Sequence, residues 1–312
     1  MVDTDELERF WSRPESHAAL RRWLTAGLEE DRVDQDLATR ALLDDAPGQV
    51  VADVTAQAPG VSCGARAAIE CFRALDAQLE VEQYVADGTE VLVGAEVLRV
   101  RGSAAAILGA ERTALNLWSH LSGIATQTRN WSRLCPEVTI LDTRKTLPGI
   151  RIFQKHAVRC GGGVNHRFDL GEFPMVKENH RKLFRDRHLT PGASARDEIR
   201  AIVERVRART DTRLEVEVED LESFLSCLEA GVELILLDNQ APTTIAEWIA
   251  EARSRGIALA GSALEASGGI LDRTLSAYAR SGVQRISLGA LTHSVRAWDL
   301  SLHVRWATEA AK

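Results

Sequence analysis

The residues best suited to chemistry concentrate between Asp142 and His180, in DTRKTLPGIRIFQKHAVRCGGGVNHRFDLGEFPMVKENH. Extended to Arg185, the stretch holds ten Lys and Arg against four acids, in a chain whose formal charge is -7. Glycines rather than aromatics separate these charges, which suits compact anions such as phosphates and carboxylates. Arg grips a carboxylate through two parallel N–H donors, so a dianionic acid fits here. The bland alternative is a solvated basic face, and any one of these Arg or His residues taken alone would favour it.

Carboxylates and glycines with complementary chemistry lie downstream. Glu217 in LEVEVE and Asp238 after LILL stand 21 residues apart, the length of one βα repeat, so both should face one pocket. A hard cation on a pyrophosphate commonly uses one or two such groups and keeps several waters. Glu215 and Glu219 share the alternating face of Glu217, and the pattern leaves open which of the three enters the site. Ser267-Gly268-Gly269, followed by a helical stretch from Leu271, and Gly289 after the last strand-like run place amides where barrel enzymes bind phosphate, and are assigned a 5-phosphate. Gly161-Gly162-Gly163 has neither the Walker nor the dinucleotide spacing and reads as a loop. No GxSxG elbow, HExxH pair or Cys-His-Asn arrangement is present.

These groups need a scaffold that brings loop ends together. Strand-like runs at Val138–Leu141, Leu214–Val218, Leu234–Leu237, Ile257–Ala260 and Ile286–Leu288 alternate with helical stretches near 220–230, 242–255 and 271–281. That rhythm implies parallel βαβ units in a barrel or partial barrel, with a doubly wound sheet as the competing architecture. Asp142 to Lys145, Lys177, Glu217, Asp238 and Gly289 all fall at carboxyl ends of strands, the functional rim of such a barrel. Ahead of it, helices within 12–45 and short strands between Val81 and Arg101 suggest a small α+β unit. A long helix from Ala105 to Arg129 follows, with Gly123 as an isolated soft spot. The expected division is 1–124, joined by 295–312, and a barrel over 125–294.

Composition removes several classes. The net negative charge and the lack of Lys/Arg runs interleaved with aromatics make long nucleic acids poor partners. No run approaches the ~18 apolar residues of a membrane helix, and the first 24 residues carry no export pattern, so a cytoplasmic protein without membrane partners is expected. Five cysteines with no CxxC pair argue against a disulfide framework or a zinc site and read as reduced, mostly buried thiols.

Eight ordered blocks carry a more specific likeness: ERTALNLWSHLSGIAT, ILDTRKTLPG, KHAVRCGGGVNHR, MVKENH, LEVEVEDLE, LILLDN, EASGGI and SLGALTHS. Between about 20 and 304 the chain resembles quinolinate phosphoribosyltransferases. The resemblance implies an amino-terminal α/β sandwich domain, an incomplete α/β barrel, Mg2+, and dimers or hexamers whose sites are shared between subunits. It implies that Arg144, His166, Arg167 and Lys177 hold the quinolinate carboxylates, with Arg112 reaching in from the partner subunit. Lys145, Glu217 and Asp238 then serve phosphoribosyl pyrophosphate, aided by Lys177, while Ser267, Gly268 and Gly289 match its phosphate-binding segments. His156 departs from the pattern, standing where an aromatic residue or Gln is common. The rival readings are a paralogue acting on another aromatic acid and a non-catalytic phosphosugar sensor. A sensor should have lost Lys145, Glu217 or Asp238, and all three are present.

Overall fold

The computed structural model describes residues 4–43 and 49–307. Contacts within the chain divide it into two compact units. The first contains residues 1–130, 145–163 and 290–312; the second contains 131–144 and 164–289. Among the described residues no helix is long and apolar enough to cross a membrane.

The first unit is built on a four-stranded antiparallel sheet in the order Leu300–Trp306, Val50–Ala56, Glu96–Gly102, Glu80–Gln83. Val50, Ala52, Val54 and Ala56 alternate toward the buried face, as a half-covered antiparallel strand requires. The helix Ala104–Leu134 buries Ala110, Ala114, Trp118, Leu121 and Ala125 at three- and four-residue spacing. Trp118 is fully buried and donates its indole N–H to Ser62 Oγ at 3.1 Å, so its one polar atom is satisfied. The helix runs unbroken through Gly123, so the glycine is not the soft spot its isolation suggests. A Cβ at Gly123 would lie 2.2 Å from the Arg296 carbonyl oxygen, so the glycine is there to let backbone approach helix.

Asp53 shows what aligns this sheet. It faces Arg99 on one neighbouring strand, at 2.5 Å, and is ion-paired with Arg305 on the other. Burial opposes ionisation of Asp53, but hydrogen bonds and charge from Arg305 and Arg99 outweigh it and hold the carboxyl below its ordinary value. A depressed folded pKa contributes stability that is present above the unfolded value of about 4 and is lost as pH falls through the folded one. Asp53→Asn should therefore lower stability by roughly 1 kcal/mol at neutral pH, a modest figure because both arginines are partly exposed. Thermal melts should show the difference shrinking as the pH is taken below about 4.

The second unit is a six-stranded, wholly parallel sheet in the order Thr139–Leu141, Arg285–Ser287, Ala263–Ser267, Leu234–Asp238, Glu215–Val218, Met175–Val176. The first strand in sequence pairs with the last, while among the described residues no ladder joins it to the second. The ring is thus open at one seam, giving an incomplete parallel α/β barrel, and a doubly wound sheet is excluded by that strand order. Helices Glu178–His188, Ala195–Arg207, Leu221–Glu229, Pro242–Ser254 and Asp272–Ala279 alternate with the strands. Local chemistry sets their starts: Asp220 accepts from Ser223 N at 2.8 Å, Ser194 from Asp197 N at 3.1 Å, and Pro242 opens its helix.

One expected strand is displaced. Ile257–Ala260 is not a strand, and the fifth barrel strand is Ala263–Ser267. Gly256 and Gly261, both at positive φ, bracket a turn around the apolar run. The true strand was masked by Glu265, an acid on a fully buried face, whose charge is met by Arg285 at 2.8 Å.

Candidate active site

The carboxyl ends of the barrel strands bring together Arg144, His166, Arg167, Lys177, Glu217, Asp238, Ser267, Gly268 and Gly289, all within the second unit. Arg112 and Lys145 belong to the first unit, where Arg112 stands exposed on the long helix with its guanidinium beside Glu111, and the carbonyl of Lys145 accepts from Thr292 Oγ1 at 2.8 Å.

The loop bearing His166 and Arg167 is fixed by Asp142, fully buried just beyond strand Thr139–Leu141. Its carboxylate accepts from His166 N at 2.9 Å and from Asn165 Nδ2 at 2.6 Å. His166 Nδ1 in turn accepts from Arg167 N at 2.8 Å, which puts the ring proton of a neutral imidazole on Nε2. That nitrogen points into the barrel, 3.1 Å from Glu215 and 3.5 Å from Glu265. Burial, then the neighbouring Glu215, push the Glu265 carboxyl above its ordinary range, against the pull of His166 and Arg285. Both ring nitrogens of His166 are thus engaged by the protein itself.

Arg167 is 4 % exposed, with one guanidinium NH2 group donating to the Phe173 carbonyl at 3.2 Å. Its Nε, like the Nε of Arg144, is buried with no hydrogen-bond acceptor. Burial and then the Arg144 guanidinium hold Arg167 below the usual guanidinium value, against the opposing pull of Glu215, Asp169 and Glu172. Two cations close enough to repel, each with an unanswered buried donor, are arranged for an anion.

The three glutamates of LEVEVE separate by position. Glu215 is fully buried and faces His166; Glu217 is nearly buried at the strand end, with Lys177 Nζ 2.5 Å from its carboxylate; Glu219 lies beyond the strand and is exposed. Some burial, then the nearby Glu178, Asp238 and Glu217, raise the pKa of Glu219. These carboxylates therefore crowd the rim with negative charge, an all-oxygen donor set that a hard cation would relieve. On the adjoining strand, Ser267 is paired in register with Asp238, and its carbonyl accepts from Asn239 N at 2.9 Å. Gly268 follows at φ +95°, and a Cβ there would lie 2.1 Å from the Asn239 side-chain oxygen, so only glycine allows this loop to fold close.

Two profiles divide the chain: that of the quinolinate phosphoribosyl transferase C-terminal domain matches residues 124–303, and that of the N-terminal domain matches 36–122. The chain belongs to the quinolinate phosphoribosyltransferase family. It is 38% identical over 292 residues to the nicotinate-nucleotide pyrophosphorylase (carboxylating) of Mycobacterium leprae, covering 91% of this chain and 96% of that one. It is 34% identical over 301 residues to a probable enzyme of the same description from Bacillus subtilis, covering 95% and 97%. The solved nicotinate-nucleotide pyrophosphorylase of Francisella tularensis superposes with a TM-score of 0.79 at 31% identity, over 92% of this chain and 96% of that chain.

Two residues serve this quinolinate phosphoribosyltransferase site in roles that the sequence does not announce. Asp142 falls on the expected rim with no role attached, yet it fixes the loop that presents both His166 and Arg167. Arg181 counted only toward the positive charge, but it is buried, paired with Glu198 at 2.9 Å, and donates to Ser223 Oγ and to the Glu217 carbonyl. It braces the strand end that carries Glu217. A charged residue inside an amphipathic helix gives no outward sign of such burial.

Proposed function

We propose that the chain transfers the phosphoribosyl group of phosphoribosyl pyrophosphate to quinolinate with decarboxylation, yielding nicotinate mononucleotide, pyrophosphate and CO2 for NAD biosynthesis. The observation that carries this reading is the pairing of buried Arg167 with half-buried Arg144, each with a buried, unanswered Nε donor, and their mutual repulsion, which a dicarboxylate would relieve. Arg144, Arg167 and Lys177 grip the two carboxylates; His166, expected beside them, has both ring nitrogens engaged within the chain, so its proposed role is to position the Arg167 backbone for them. Arg112 is assigned to the same acid from the partner of a homodimer or larger assembly, a role its exposure on the long helix supports.

Loss of pyrophosphate leaves an oxocarbenium-like ribose, so the residues act by positioning and by electrostatics, without a covalent enzyme intermediate. Lys145 neutralises the departing pyrophosphate, Glu217 and Asp238 orient the ribose hydroxyls, and the backbone of Ser267, Gly268 and Gly289 holds the 5-phosphate. The carboxylates at the rim fit Mg2+, with Glu217 and Asp238 as its holders, in part through water. Bound there, magnesium supplies charge neutralisation for the pyrophosphate. Once alkylated, the ring nitrogen is cationic and stabilises the electron pair left on the adjacent ring carbon when its carboxylate departs as CO2, and that carbon then takes up a proton from water. The arginines need only hold that carboxylate in place.

Arg167→Met tests the assignment. Removing a charged hydrogen-bonding partner should weaken quinolinate binding by roughly 1.5–3 kcal/mol, or roughly 10- to 150-fold, in calorimetry. Affinity for phosphoribosyl pyrophosphate should stay close to the parent value; a loss confined to that substrate would place Arg167 elsewhere.

A further inference from the structure

Four side chains distant in sequence converge inside the first unit: Cys63, Asp87, His156 and Cys160. Cys63 follows the short strand Gly60–Val61, Asp87 sits in the turn before Glu90–Val91, and His156 and Cys160 lie one turn apart on helix Arg151–Cys160. That four-residue spacing puts imidazole and thiol on one helix face. All four are buried, none more than 3 % exposed. His156 Nε2 stands 2.9 Å from Asp87 Oδ2 and 3.5 Å from Cys160 Sγ, and Cys63 Sγ stands 3.9 Å from Asp87 Oδ2. One donor atom from each residue lies within 4.8 Å of all the others.

A tetrahedral zinc ion with ordinary Zn–S, Zn–N and Zn–O bonds sets its ligand atoms about 3.3–3.8 Å apart, the range around which these separations scatter. Two thiolates and an imidazole are borderline-soft donors, which favours zinc over the hard, oxygen-seeking cation of the rim. The surroundings are also those of a metal site. Asp87 is oriented by N–H donors from Gly64 and from the indole of Trp11, each at 2.8 Å. Phe10 stacks on the His156 ring, 3.8 Å between centroids and 6° from parallel, while Trp11 meets the same ring edge-on. Such outer contacts fix a ligand's orientation and exclude water.

We propose that Cys63, Asp87, His156 and Cys160 form a closed structural zinc site that ties helix Arg151–Cys160 and the amino-terminal helix to the loops around Cys63 and Asp87. Coordination releases the thiol protons of Cys63 and Cys160 and any proton on His156 Nε2, so binding tightens as pH rises. With four protein ligands and no exposure, the site has no open position for substrate, and its role is to hold the fold together. The shortest path along the sequence between the cysteines is 97 residues, which is why no compact Cys motif announced it.

Elemental analysis of the full chain, purified without chelator or metal resin, should find about one zinc per chain. Removing it with a strong chelator should lower Tm by about 5 °C or more. Cobalt added to the reduced, metal-stripped chain should give thiolate-to-cobalt charge-transfer absorption and tetrahedral d–d bands. The double variant Cys63→Ser, Cys160→Ser should lose both zinc and the cobalt spectrum, while Cys227→Ser keeps them. The cobalt titration of the unmutated chain stands even if the double variant does not fold. Three results would overturn the proposal: no zinc and no cobalt spectrum in the reduced chain; zinc retained by a folded double variant; or a Cys63–Cys160 disulfide in protein alkylated at lysis.

Discussion

Arg112→Ala should be almost inactive, falling about 30- to 1,000-fold in kcat/KM for quinolinate while the protein stays folded. The size follows from the roughly 2–4 kcal/mol that a buried, charge-assisted contact to a substrate carboxylate contributes when its partner is removed. Among the described residues the side chain is exposed and its ionic neighbour is the adjacent Glu111. Truncation should therefore leave Tm within about a degree of the parent, since exposed substitutions change stability little. If Arg112 acts across a two-fold interface, a shared site can be rebuilt from two dead chains. Mixing Arg112→Ala with Lys145→Ala at equal concentration should restore about a quarter of parent activity, because half the dimers are mixed and each holds one intact site of two. No recovery after verified subunit exchange would assign Arg112 to its own chain or to no catalytic role.

The second large effect is expected at the carboxylate rim. Asp238→Ala and Glu217→Ala should each lower kcat by about 100-fold or more, the scale on which single electrostatic groups stabilise a charged transition state. The loss should be accompanied by weaker binding of phosphoribosyl pyrophosphate with magnesium. Quinolinate binding measured alone should change little, and Glu217→Ala should behave differently from Asp238→Ala in one respect. Lys177 is paired with Glu217, so Glu217→Ala frees a cation beside the acid site and should tighten quinolinate slightly. A collapse of quinolinate affinity in either variant would reverse the assignment of the two substrates to the two sets of residues.

Much of the barrel and its rim can be read from the chain because parallel strands are buried on both faces. Their apolar runs, such as LILL, end abruptly where the chemistry begins, and Asp238 and Glu217 mark those ends. The same rule hid the strand Ala263–Ser267, since Glu265 breaks its apolar run and is made tolerable by Arg285 and His166, which no local pattern announces. In the first unit, strand Val50–Ala56 is interrupted by Asp53, whose partners come from Arg99 and Arg305 on neighbouring strands. Gly123 misled for a related reason: its need for the missing Cβ arises from Arg296, far along the chain. The Asp142 and Arg181 braces, and the convergence of Cys63 with His156, are likewise properties of tertiary neighbours rather than of spacing.

If the paired arginines select a dicarboxylate, the enzyme should accept only an acid with two carboxylates and remove one of them. The direct measurement supplies purified protein with phosphoribosyl pyrophosphate, Mg2+ and either quinolinate or nicotinate, and follows nicotinate mononucleotide together with labelled CO2. Quinolinate should be turned over efficiently with one CO2 released per nucleotide formed, and nicotinate little. Turnover of nicotinate equal to or faster than that of quinolinate, or nucleotide formed without CO2, would contradict this assignment.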